Sequence, residues 1–389
     1  MKRKISLLLV LAMTTSLILA GCDAKTKTKE YVESDVIKIG VFEPMTGANA
    51  AGGQLEVEGA KLANKLYPTV LGKKVELVFA DNKSDKVEAA SAAANLIEQE
   101  HVNAIIGSWG SGNSMAAGDI VMEAKVPAVG ASCTNPLVTA GNDFYFRVCF
   151  IDPFQGTVMA KYAANKLKAK NVAILQEVSS DYSVGICKFF SDEFIKLTGD
   201  KNAIVAKSNY NTGDQDFTAQ LTNIKSSNPD VIFAPGNFTE GAMIVKQARQ
   251  LGITAPIIGA DTWETPEFLD IGKEAVEGTV FSTFFASETP ITKESKVFLD
   301  SYRQEFNKEP AAVSALSYDA YLVILDAIKR AGTANPEKIR NEIAKTKNFP
   351  GAAGVITIDE NNNAVKDAVL KVVKDGKFTY LDTIKPEQN

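Results

Sequence analysis

The sequence predicts an α/β protein of two lobes, each built on a doubly wound parallel sheet flanked by helices. Short β-branched runs alternate with amphipathic helical segments from Asp35 onward, and the alternation restarts near residue 153 in a second series of similar size. Composition agrees: 45% hydrophobic and 23% charged residues is a globular balance, and 389 residues suffice for two domains of ordinary size.

Taken in order, the chain opens with Met1-Lys2-Arg3-Lys4, a nearly uncharged apolar run over 5–20, and Leu19-Ala20-Gly21-Cys22. A basic start, a short apolar stretch and small residues before a cysteine make a secretory signal peptide over 1–21. The run is short for a membrane span, which needs about 20 apolar residues. Residues 23–34 are polar and without periodicity, and read as a flexible tether. Strands are expected over 36–42, 74–80, 102–108, 127–131 and 144–148, with helices over 54–67, 86–100 and 113–124 between the first four. The second series runs helix 153–167, strand 171–176, helix 183–197, strand 203–207, helix 217–226, strand 230–234, helix 240–251 and strand 256–259. A strand over 278–285, helices over 293–307, 312–331 and 336–345, and a C-terminal β region turning at Lys374-Asp375-Gly376-Lys377 complete it.

Several function classes are excluded early. Without residues 1–21 the chain carries 39 basic and 47 acidic side chains, 39 − 47 = −8, which does not suit nucleic acid, bound mainly by Lys and Arg. The single histidine, His101, falls between a helix and a strand and reads as a surface residue. Its isolation removes Ser-His-Asp and Cys-His catalysis and multi-histidine metal sites. No G-x-S-x-G elbow and no Cys-x-x-Cys pair occurs. Asp359 to Asn363 begins like a calcium loop but lacks glycine at position 6 and has Leu370 at position 12, so it reads as a polar turn. No cofactor is implied. Cys133, Cys149 and Cys187 permit at most one disulfide, and sequence does not choose the pair.

Ligands of open α/β sheets sit outside the carboxyl ends of the strands. After the third strand comes Gly107-Ser108-Trp109-Gly110-Ser111-Gly112-Asn113-Ser114, whose glycines follow neither the dinucleotide nor the Walker order. It supplies hydroxyls and free N–H groups at a helix start, suited to a carboxylate; Ser111 or Asn113 as a plain N-cap is compatible with that. The next strand ends in Gly130-Ala131-Ser132-Cys133-Thr134-Asn135-Pro136, so the two loops together offer a carboxylate site without arginine. In the second series the strand ends are Glu177 to Tyr182, Pro235 to Phe238, and Gly259-Ala260-Asp261-Thr262-Trp263. Asp261 is either the partner of a ligand ammonium or an acid that starts a loop. Trp109 and Trp263 each follow an apolar strand and are expected to face the cleft, the alternative being a partly buried core position.

These residues resemble a family. The Leu19 to Cys22 lipobox, Ile39-Gly40-Val41-Phe42-Glu43-Pro44-Met45-Thr46-Gly47, Ile106-Gly107-Ser108, Thr134-Asn135-Pro136 and Ser317-Tyr318-Asp319-Ala320 look like the branched-chain amino acid binding proteins of bacterial ABC importers, from Asp35 to Ile384. The resemblance implies a type I periplasmic binding fold with a three-crossover hinge near 149–152, 281–284 and 350–354. Lobe I would then be 35–150 with 281–352, and lobe II 151–280 with 353–389. It also implies a lipid on Cys22, extracytoplasmic tethering by that anchor alone, a monomer, and delivery of an amino acid to a membrane permease. By position Ser111, Cys133 and Thr134 would hold the α-carboxylate, Cys133 through its backbone, and Asp261 the α-ammonium. Tyr182, Phe238 and Tyr318 would line the pocket. Gly52 stands where several members carry an aromatic residue, a departure that bears on the ligand side chain. A sensory receptor would use the same fold and cleft; an enzyme would need chemistry that these residues do not advertise.

Overall fold

Six strands make the first sheet: β1 (Val36–Glu43), β2 (Thr69–Val70), β3 (Lys73–Asp81), β4 (Ala104–Ile106), β5 (Ala128–Gly130) and β6 (Tyr145–Arg147), in the order β2-β3-β1-β4-β5-β6. The pairs from β3 to β6 are parallel, and β2 runs antiparallel to β3. Parallel strands need helical crossovers. Here these are α1 (Ala50–Leu66), α2 (Lys86–Glu98), and the broken pair α3 (Ser111–Ala116) and α4 (Gly118–Ala124). The core under α2 and α4 is aliphatic, with Leu96, Val102, Ile105 and Val121 all buried. This structure, a computed structural model, describes residues 31–386. The signal peptide, Cys22 and most of the tether expected from the sequence lie outside the described residues.

The chain enters the second lobe through α5 (Asp152–Lys161), which runs on into a π-helical turn at Tyr162–Lys166. Strands β7 (Val172–Glu177), β8 (Ile204–Tyr210), β9 (Val231–Phe233), β10 (Ile257–Gly259) and β11 (Val280–Thr283) are connected by α6 (Asp181–Thr198), α7 (Thr218–Ser226), α8 (Phe238–Gln250) and α9 (Pro266–Gly272). The helix α9 was not expected, although Thr265 accepts from the Phe268 N–H and Pro266 takes the first turn, both ordinary start signals. Then α10 (Lys293–Phe306), α11 (Ala312–Ala331) and α12 (Pro336–Ile343) return to the first lobe, where α11 packs along α1.

A small antiparallel sheet of β12 (Phe349–Gly351), β13 (Gly354–Ile358) and β14 (Ala364–Val365) follows. The hairpin of β15 (Ala368–Lys374) and β16 (Lys377–Ile384) then completes a seven-stranded sheet ordered β16-β15-β11-β10-β9-β7-β8. Asp375 and Gly376 both have positive φ, the two-residue turn their sequence predicts. The two-lobed, parallel-rich architecture is the one expected. The third passage between lobes falls later than 350–354, because the small sheet and the Asp359 turn are interposed on the first-lobe side. The Arg147 N–H donates to the Asn362 carbonyl at 3.1 Å, and the Thr139 hydroxyl to Asn363 Oδ1 at 2.9 Å, so the chain is still at the edge of the first sheet there.

Candidate ligand-binding cleft

Each sheet reverses its winding at one point. In the first, β1 lies between β3 and β4; in the second, β7 lies between β8 and β9. A crevice opens outside the carboxyl ends of strands at such points. Segments leaving β1, β4 and β5 wall it on one side, and those leaving β7, β9 and β10 on the other. The cavity between them is about 130 Å³, close to the roughly 150 Å³ that accepts a benzene-sized molecule. That is room for one small solute.

The first-lobe wall is set by a net of side-chain bonds. Gly107 and Gly110 take φ of +131° and +86°, regions open to glycine. Asn82 Nδ2 donates to Ser108 Oγ at 2.7 Å, the Ser108 N–H donates to Ser114 Oγ at 3.1 Å, and the Trp109 N–H donates to Glu43 Oε2 at 2.6 Å. The Trp109 indole lies over Gly52, where a Cβ would stand 2.5 Å from the ring. The space beside Gly52 is thus filled by an aromatic from another element. Ser111 opens α3 and lines the cavity; its Oγ accepts from the Asn135 N–H at 3.1 Å. The N-cap is Gly110, so neither Ser111 nor Asn113 serves as one. As first-turn residues, Ser111 and Gly112 have N–H groups without intrahelical partners.

The residue of the next loop that faces the cavity is Ser132. Cys133 and Thr134 are fully buried behind it. The Cys133 side chain turns into the first-lobe core against Gly130, its carbonyl accepts from the Arg147 guanidinium, and the Thr134 carbonyl accepts from the Asp152 N–H at 3.0 Å. Arg147, unremarked in the sequence, is a wholly buried cation that fixes this loop from behind.

On the second-lobe wall Asp261 and Tyr182 line the cavity. The Tyr182 hydroxyl and Gln155 Nε2 both donate to Asp261 Oδ1, at 2.7 and 2.6 Å. Burial pushes the Asp261 carboxyl up to about 6, against the opposing pull of these two donors. Glu177 also lines the cleft, but its two oxygens are taken by the Thr212 hydroxyl and the Asn237 N–H. Asp261, with both side-chain bonds on one oxygen, is the better placed acid for a cation.

The remaining expected residues lie elsewhere. Phe238 is buried at the start of α8 and meets Trp109 edge-on across the cleft, ring centres 6.4 Å apart, without lining the cavity. Trp263 is fully buried in the second lobe, stacked on Phe268 at 4.6 Å over Gly241 and Gly259. The reason is local: Asp261–Trp263 is a short 3₁₀ turn that presents Asp261 and Thr262 to the cleft and carries the indole inward. Tyr318, in the middle of α11, bonds Glu294 and packs on Tyr67 and Phe298, away from the cleft. Cys133, Cys149 and Cys187 are all free and buried.

The lobes also touch directly around the cavity. Asn237 Nδ2 donates to Asn49 Oδ1 at 2.7 Å, Asn135 Nδ2 to the Asp181 carbonyl at 2.9 Å, and Lys86 pairs with the Asp181 carboxylate. Asn49, Ser132, Asn237 and Thr262 were not singled out individually from sequence, though the last three lie within loops that were and Asn49 follows the stretch 39–47.

Comparison with known proteins gives three findings. The profile of the periplasmic binding protein family matches residues 36–377. A Leu/Ile/Val-binding protein of Rhizobium johnstonii is 32% identical over 335 residues, 84% of this chain and 88% of its own. Among solved structures, a leucine-binding protein of Thermotoga maritima has 47% identity and a TM-score of 0.88 over 90% of this chain and 99% of that one. The branched-chain amino acid transporter substrate-binding protein of Streptococcus pneumoniae, in complex with isoleucine, has 36% identity and a TM-score of 0.84 over 90% and 100%.

Proposed function

Because the chain belongs to the periplasmic binding protein family and is a solute-binding protein rather than an enzyme, we propose that it captures a branched-chain amino acid between its lobes and hands it to the membrane permease of an ABC importer. The observation that carries the ligand class is the polarity of the cleft. One wall offers the Ser111 and Ser132 hydroxyls with helix-start N–H groups, and the other offers the carboxylate of Asp261. An α-carboxylate and an α-ammonium fit those two walls in one orientation. The similar proteins named for leucine, isoleucine and valine supply the side-chain preference, and the apolar faces of Trp109 and Tyr182 are consistent with it.

In this reading the mature protein is a monomer held outside the cytoplasm by lipid on Cys22. A thermal-shift screen against the twenty amino acids tests the ligand: a true one at 100 times its dissociation constant adds about 2.7 kcal/mol, and absence of a shift with leucine, isoleucine and valine would remove them. Cys22→Ser should leave an unprocessed precursor or a released protein; normal processing and membrane retention of that variant would remove the anchor. Loss of labelled amino-acid uptake on deleting the gene tests the delivery step.

A further inference from the structure

Beneath the first-lobe wall lie two acids with no cation of their own. Glu43 ends β1 and Glu56 sits on the inner face of α1, and both are 0% exposed. Glu43 Oε2 accepts the Trp109 N–H, and Glu56 Oε1 accepts the Ser132 hydroxyl. Glu43 Oε1 and Glu56 Oε2 have no donor from elsewhere, and the two carboxyls neighbour one another. Close carboxyls in a dry site do not both ionise; a proton held between them satisfies both orphaned oxygens. The other titratable groups facing the pair are Cys133, behind the Ser132 loop, and Asp261, from the opposite lobe. Tyr145 donates to the Gly107 carbonyl and Arg147 to Cys133 and Thr139, so neither neutralises the pair, while Glu58 on the same helix is engaged by Tyr302 and Lys308.

Ser132 joins this pair to the cavity. A hydroxyl has one proton to give. While Glu56 accepts it, Ser132 presents only lone pairs to the cleft, which repel a carboxylate. When Glu43 supplies the proton shared between the carboxyls and Glu56 carries a second one on Oε1, which it donates to Ser132 Oγ, the serine proton is free to point at the ligand. We infer that the Glu43–Glu56 pair is a proton store that sets the donor direction of Ser132, so that binding of a ligand carboxylate on this wall is coupled to protonation of the pair. Glu56 is thus a positioning residue, acting through Ser132, and the inference rests on the amino-acid reading of the cleft. Burial lifts the Glu56 carboxyl to about 8 and holds Glu43 well above the ordinary carboxylate range, so the binding form prevails at neutral pH and is lost above it.

The test is calorimetric titration of the whole soluble protein with L-leucine and L-isoleucine between pH 7 and pH 9, in pairs of buffers of different ionisation enthalpy. The affinity of the unaltered protein should fall about tenfold more across that range than that of Glu56→Gln, whose amide donates to Ser132 at every pH; the variant also cancels titration of the ligand's own amine. Binding near pH 8 should take up more protons from buffer in the unaltered protein than in Glu56→Gln. Ser132→Ala should bind weakly with the same flat profile as Glu56→Gln. Tight binding with no proton uptake, or Glu56→Gln keeping the unaltered pH profile, would overturn the proton link and leave the amino-acid site standing. No binding of either amino acid at pH 7 would overturn the amino-acid reading and the proton link with it.

Discussion

Asp261 is the residue on which the cleft's charge balance turns. Its carboxyl titrates near 6 because burial outweighs the donors Gln155 and Tyr182. If a ligand ammonium pairs with Asp261, it needs the ionised form, so the contribution of this residue to affinity should be full by about pH 7 and fall up to tenfold per unit below pH 6. At pH 7.5 Asp261→Ala should weaken amino-acid binding by roughly one to two orders of magnitude, the equivalent of about 1.5–3 kcal/mol for a charge-assisted bond. Calorimetry finding unaltered affinity in the folded variant would remove Asp261 from the site. The two tryptophans divide as clearly. Trp109 lines the cavity and Trp263 is packed inside the second lobe, so Trp109→Phe should abolish a ligand-induced change in emission and Trp263→Phe should preserve it. Equal loss in both variants would contradict this division. Sequence made Asp261 legible, since an acid after an apolar strand is conspicuous. It could not separate Trp263 from Trp109, because one tight turn reverses the side chain, though Gly241 and Gly259, which clear space for the ring, are a signal visible in hindsight.

Among the elements, the turn after β10 has the widest reach. Glu264, three residues beyond Asp261, accepts from the Ala312 N–H at the start of α11 at 3.2 Å, from the Thr283 hydroxyl at the end of β11, and from Lys371 on β15 at 2.6 Å. The ion pair is almost wholly buried, Lys371 and Glu264 being 6% and 4% exposed at their side chains. A buried pair is weak evidence of net stabilisation, yet removing one partner strands the other. Lys371→Ala should therefore cost about 3–5 kcal/mol in denaturant unfolding; a loss below about 1 kcal/mol, the value of an exposed pair, would mean that water reaches Glu264. Strand and helix order was largely readable from alternation, whereas this tie was not: Glu264 and Lys371 are 107 positions apart, and no periodicity links them. Ser132 was missed for a related reason, since beyond a strand end nothing local decides which of three successive side chains faces the cleft.

At the scale of the molecule, buried acids should shape stability. The carboxyls of Asp261, Asp319 and Glu56 are lifted by burial to about 6, 7 and 8. Between the ordinary carboxylate range and those values the folded chain keeps protons that the unfolded chain has released, so stability declines as pH rises through that window. The melting temperature should be several degrees higher at pH 5 than at pH 8, at roughly 2–4 °C per kcal/mol, and a midpoint that climbs over this interval would refute the assignment. Much of the global plan was legible because a repeated βαβ rhythm has few topologies open to it. The late third passage was not, because the hydrogen bonds of Asn362 and Asn363 to the edge of the first sheet join residues more than two hundred positions apart.

The three described cysteines also bear on how the molecule comes into being. All are buried thiols, and none is joined to another. Folding of the described part therefore waits on no oxidase and no shuffling of covalent bonds. The native structure described is that of the reduced chain, with the Cys133 and Cys149 thiols side by side, so the protein should fold with reductant present throughout.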